Sequence, residues 1–173
     1  VSYVSYTINV QNQHPTSYSV TANRLRQAAN AALTQQQVAP NAALSIVITS
    51  DEAVQQLNQQ HRGIDAPTDV LSFPAQPLPT ALAAFTDTDT NYLGDLLLAY
   101  PYATAQARRE GHDPHDSFAL LVVHGVLHLL GYDHNTPAHK ADMWAQQAAI
   151  LRELGIDTGI VPALESSTHH DET

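Results

Sequence analysis

Residues 113–134, DPHDSFALLVVHGVLHLLGYDH, leave this chain little freedom in how it folds. Asp113-Pro114 supplies a helix start, with Asp as N-cap and Pro in the first helical position. Gly131 supplies the stop. In between, Val122, Val123, Val126, Leu127, Leu129 and Leu130 make the helix apolar almost all round. Such a helix has to be enclosed by other elements. The same helix carries His124 and His128. Residues four apart sit about 40° apart around a helix axis and roughly 6 Å apart along it, so both imidazoles project from one stripe. In an apolar setting they need polar partners or a shared ion. His134 lies outside that stripe. On a continuing helix it would be about 15 Å farther along than His124 and some 80° round. The chain must therefore turn back, and glycine at 131 tolerates the left-handed conformation that such a turn uses.

Three neutral imidazoles form a ligand set that leaves tetrahedral zinc one open position, the catalytic rather than the closed structural arrangement, with nitrogen–metal distances of about 2.0–2.1 Å. Nickel and other first-row ions accept the same donors. The chain has no cysteine, so thiolate sites and disulfides are excluded and a metal has to bind through His, Asp or Glu. That absence fits a cytoplasmic protein. At 173 residues the chain has the length of one domain, and we expect residues 1–162 to form it and 163–173, with His169 and His170, to be a solvated tail. No apolar run reaches the roughly 18 residues of a membrane span, and VSYVSYTINV has no secretory signal pattern. A formal charge of −10 with seven Lys and Arg argues against broad nucleic-acid binding, which needs clustered cations. A nucleic-acid substrate requires several of the seven to converge on one face.

The remaining elements follow from pattern. Residues 3–10, 44–49, 69–73 and 93–99 are expected as strands, rich in β-branched and apolar residues. Helices are expected at 18–37, from Ser50 or Asp51 to His61, at 100–109 before Gly111, at 114–130 and at 137–154. The last carries an inward stripe of Met143, Gln147, Ile150, Leu151 and Leu154, with Trp144 beside it. Residues 74–91, with Pro74, Pro77, Pro79 and the DTDT run, form an exposed loop, a surface insertion or a flap. The fold class is α+β, a small mixed sheet with helices packed on it.

The spacing of the three histidines and Gly131 resembles the metzincin pattern H-E-x-x-H-x-x-G-x-x-H, but the position of its catalytic Glu is Gly125. Ordinary proteolysis is demoted accordingly. Gly125 implies either tight packing against a neighbour or room for substrate. Asp133 and Asp95 are the candidates to orient the rings from behind. Thr68, Asp69 and Ser72 read as turn and sheet chemistry, and Gly94-Asp95 as either a bulge or a site edge.

HGVLHLLGYDH, with residues 57–74 (LNQQHRGIDAPTDVLSFP) and 93–98 (LGDLLL), closely resembles the bacterial YbeY family. The likeness covers most of residues 44–155. It implies a zincin-like fold with a four-stranded sheet and the metal helix beside it. It also implies a zinc-dependent, single-strand-specific endoribonuclease acting in ribosomal RNA maturation and ribosome quality control, with ribosomal proteins or the small subunit as partners. By the same likeness one zinc ion is held by His124, His128 and His134, and Arg62 matches an arginine associated with activity. A guanidinium there suits an RNA phosphate; its plain alternative is an ion pair with Asp65. Two other functions fit the histidine pattern: a zinc hydrolase acting on a peptide or small amide, and a ribosome-assembly factor with structural zinc.

Overall fold

The buried helix sits where its sequence requires, between a sheet and three further helices. In the computed structural model, which describes residues 5–14, 22–76, 79–83 and 89–160, four strands run β1 Thr7–Asn12, β2 Ala42–Thr49, β3 Val70–Pro74 and β4 Asn91–Ala99. Their order in the sheet is β1-β2-β4-β3. β1 and β4 are both parallel to β2, whereas β3 is antiparallel to β4 and forms one edge. The helices are α1 Ala22–Gln35, α2 Asp51–Arg62, the short α3 Thr80–Ala83, α4 Tyr100–Glu110, α5 Pro114–Leu129 and α6 Pro137–Glu153.

Alternation along the strands divides the sheet into two faces. Leu44, Ile46, Leu96 and Leu98 point to one side, into the core that α1, α5 and α6 share. Leu71, Phe73, Leu97 and Ala99 point to the other, toward Val54 and Leu57 of α2. α5 is closed off completely in the middle: Phe118, Ala119, Val122, Val123, Val126 and Leu127 are all 0% exposed. Full burial of an aliphatic side chain contributes about 1.5–3 kcal/mol, so this helix anchors the fold. No helix among the described residues is long and apolar enough to cross a membrane.

The expected elements are present, with shifted ends. β1 begins at Thr7 and extends to Asn12 rather than Val10, because pairing with β2 uses backbone groups and carries Gln11 and Asn12 along opposite Val47 and Ile48. β2 and β4 each start two residues earlier than expected, paired through Ala42 and Asn91. α1 ends at Gln35, not residue 37, where Gln37 adopts φ 55° and the Val38 N–H caps the Leu33 carbonyl at 3.0 Å. The expected loop at 74–91 contains α3. The expected starts at residues 3 and 18, the stretches 77–78 and 84–88, and the tail at 163–173 lie outside the described residues.

Candidate metal centre

α5 brings His124 and His128 to the same side, as their spacing requires, and their ring centroids are 4.6 Å apart. The turn after α5 supplies the third ring. Gly131 takes φ 99°, its N–H bonds to the His128 carbonyl at 3.0 Å, and the Tyr132 N–H reaches the Leu127 carbonyl at 3.0 Å. This is the two-bond helix ending that a left-handed residue permits, and it folds His134 back over the helix end. The His134 centroid lies 5.7 Å from that of His124 and 5.1 Å from that of His128. One nitrogen from each ring falls within a set whose members are all within 4.8 Å of one another.

The hydrogen-bond partners of the rings fix their tautomers. His124 Nδ1 lies 3.1 Å from Gln147 Oε1, and His128 Nδ1 lies 2.9 Å from the Tyr132 carbonyl oxygen. Both partners only accept, so both Nδ1 atoms carry the hydrogen and both Nε2 atoms present lone pairs. Those two lone pairs face each other at 3.1 Å. Two acceptors at that distance call for a cation between or beside them. Two nitrogens bound tetrahedrally to zinc at about 2.0–2.1 Å stand about 3.3 Å apart. The donor set therefore fits a first-row divalent ion. Burial, reinforced by His128 beside it, lowers the pKa of His124 to about 3. Burial and His134 also lower that of His128. Both rings are thus held neutral, the form that ligates.

The two aspartates offered as candidates to orient the rings have other partners. Asp95 accepts from the Tyr92 hydroxyl at 2.6 Å, and Asp133 accepts from the His134 N–H at 2.8 Å. Neither bonds a ring. Gln147 and the Tyr132 carbonyl do so instead. Gln147 is 2% exposed; as a polar residue on the inward stripe of α6 it needed a buried partner, and that was the available signal. Trp144 also went unassigned. Its ring meets His124 and His134 edge-on, at 5.8 Å and 89°, and 5.8 Å and 84°.

Two open questions about glycines are resolved by packing. A Cβ on Gly125 would stand 2.7 Å from Leu96 Cδ2 and 3.3 Å from Ser72 Oγ, so this glycine lets α5 lie close against the sheet. Gly94, at φ 140°, sits at a bulge where Leu93 is extra to the pairing with β2, and a Cβ there would collide with the Phe73 carbonyl. Ser72 does more than sheet chemistry: its hydroxyl donates to the Gly125 carbonyl at 3.4 Å.

A cleft of about 740 Å³ opens over the three rings. β3 lines its length, and the end of α2 forms the far wall with Leu57, His61 and Arg62. Arg62 is exposed and close enough for its charge to contribute to lowering the pKa of His128. The expected alternative partner, Asp65, accepts from Gln55 Nε2 at 2.9 Å.

Comparison with known proteins shows which family the chain is drawn from. The sequence profile described as Endoribonuclease YbeY matches residues 7–155. The chain belongs to the YbeY family. A YbeY relative from Roseiflexus sp. (strain RS-1), named Endoribonuclease YbeY, is 43% identical over 151 residues, covering 87% of this chain and 94% of the relative. One of the same name from Moorella thermoacetica is 45% identical over 137 residues, covering 79% and 86%. Among solved structures, the solution structure of TM1509 from Thermotoga maritima shares the fold, with a TM-score of 0.52 at 21% identity over 86% of this chain and 92% of that one.

Proposed function

We propose that this chain is a zinc-dependent, single-strand-specific endoribonuclease of ribosomal RNA maturation and ribosome quality control, working in the cytoplasm as one unit over residues 1–162. The observation that carries the proposal is the pair of Nε2 lone pairs at 3.1 Å, joined by His134 and faced by Arg62 across one cleft. His124, His128 and His134 would hold the ion, which when bound supplies a Lewis acid for a phosphoryl oxygen and lowers the pKa of water. Arg62 binds a phosphate of the RNA strand by two parallel N–H bonds and stabilises charge developing there. Gln147 and the Tyr132 carbonyl keep the hydrogens on the outer ring nitrogens. With a net charge of −10, the chain is poorly suited to holding long RNA by itself, and a ribosomal protein or the small subunit presents the strand.

A peptide-directed hydrolase needs a carboxylate base near the ion. Gly125 fills that sequence position against Leu96, and Asp133, the carboxylate among the cleft-lining residues, is held by the His134 N–H. A structural zinc needs a fourth protein ligand, and the metal-ligating group found among the described residues comprises these three histidines.

Ribosomal RNA precursor cleavage and zinc content, measured together for wild type, Arg62→Ala and His128→Ala, test the proposal. His128→Ala should lose both. Arg62→Ala should keep its zinc and lose about 10²–10³ in rate, the usual effect of deleting one charge-stabilising donor. Equal cleavage by all three proteins would identify a contaminating nuclease and remove the claim.

A further inference from the structure

Among the described residues β3 is hydrogen-bonded on one side only, and its residues line the cleft. In an antiparallel pair the N–H and C=O of each residue point the same way, and alternate residues face the partner strand. The Ala99 N–H donates to the Asp69 carbonyl at 2.9 Å, and the Ala75 N–H donates to the Leu93 carbonyl at 3.0 Å. Both bonds belong to the register that pairs Leu71 with Leu97 and Phe73 with Asp95. The main chain of these odd-numbered residues is therefore directed at β4, and that of Val70, Ser72 and Pro74 is directed outward.

The three outward positions differ. The Val70 N–H is already taken by Asp69 Oδ1 at 2.8 Å, and Pro74 has no N–H to offer. Within β3, Ser72 alone presents an outward N–H, and outward carbonyls lie on either side of it. Residues 70–74 line the same cleft as the three histidines and Arg62. The bond from Ser72 Oγ to the Gly125 carbonyl ties this point to the residue after His124.

An edge with this pattern selects its ligand. An extended peptide adds to a sheet through successive outward N–H and C=O groups, and two of the three N–H positions here are closed. A phosphate oxygen only accepts and is repelled by the flanking carbonyls. A hydroxyl both accepts and donates, so it suits one N–H with a carbonyl beside it. The ribose 2′-hydroxyl is the group that distinguishes RNA from DNA. We propose that the Ser72 main chain is the ribose-selecting contact of this cleft, its N–H donating to a 2′-oxygen whose hydrogen goes to a neighbouring β3 carbonyl. The proposal rests on the endoribonuclease assignment above, and it makes Asp69 and Pro74 specificity determinants, because they close the edge to peptides.

Binding is the readout, because a deoxy sugar removes a possible nucleophile as well as a contact. Single-stranded RNA and DNA of one sequence compete, at fixed salt, for zinc-loaded protein carrying a fluorescent RNA probe. Wild type should prefer RNA by about tenfold, the effect of one buried hydrogen-bonding hydroxyl. Ser72→Ala keeps the N–H and should keep the ratio. Ser72→Pro removes the N–H at an edge position that tolerates proline, and the ratio should fall close to one. Should that variant not fold, the Ser72 amide resonance of the wild type serves instead, shifting with RNA and not with DNA. An unchanged ratio in folded Ser72→Pro, a Ser72 amide indifferent to the sugar, or an extended peptide that displaces the probe would overturn the proposal. Sugar preference without cleavage of precursor RNA would sink the nuclease assignment alone; cleavage without sugar preference would sink the Ser72 contact alone.

Discussion

Replacing Gln147 with leucine isolates the tautomer control of the metal centre. The side chain is 2% exposed, and its Oε1 accepts from His124 Nδ1 at 3.1 Å. Leucine has a similar volume and no acceptor. Once Oε1 is gone, the His124 hydrogen is free to move to Nε2, where it donates to His128 Nε2, 3.1 Å away. That internal bond turns two facing acceptors into a donor–acceptor pair in the metal-free protein, but it occupies the two atoms that would ligate. Breaking it costs about 0.5–1.5 kcal/mol, and loss of ring orientation adds to this. Removing such an orienting partner commonly weakens metal binding 10–100-fold, or about 1.4–2.7 kcal/mol. Competition with a chromogenic chelator at pH 7.5 should show a loss in that range for Gln147→Leu. Gln147→Glu, which restores a stronger acceptor, should bind at least as tightly as wild type. Gln147→Leu within twofold of wild type would refute the tautomer account.

Gly125→Ala gains about 1 kcal/mol in helix propensity, but it pushes a methyl group within 2.7 Å of the fully buried Leu96, an overpacking that costs about 1–3 kcal/mol. Urea unfolding should show a net loss of about 1 kcal/mol, and a variant more stable than wild type would contradict the packing role. In metal-free protein, the unfolded chain takes up a proton at His124 near its ordinary value of 6.5, whereas the folded chain does so only at about 3. Stability should therefore be fully present above pH 6.5, and His124 alone should make it fall by about 1.4 kcal/mol per pH unit as the pH drops toward 3. His128, lowered in the same direction, steepens the slope. Denaturation midpoints flat between pH 6.5 and 4.5 would show that the rings are not buried as described.

Local chemistry in the sequence was sufficient to expect the clustering of His124, His128 and His134. The i, i+4 spacing of His124 and His128 and the glycine at 131 act within one helix and its ending, so they could be read without tertiary contacts. The order of strands and helices was legible for the same reason, because periodicity and caps are local. Strand ends were less so, since pairing carries polar residues such as Gln11 and Asn12 into a ladder regardless of their side chains.

What the sequence determined by itself was that two imidazoles share a buried helical face and that a third is returned to them by a glycine turn. Tertiary structure alone decided what stands behind and opposite them. Gln147 reaches His124 from 23 residues away in sequence, and Ser72 meets α5 across 53 residues. β3 became an open edge beneath the rings through the sheet order β1-β2-β4-β3. Contacts of that kind depend on how whole elements pack, and no spacing along the chain encodes them.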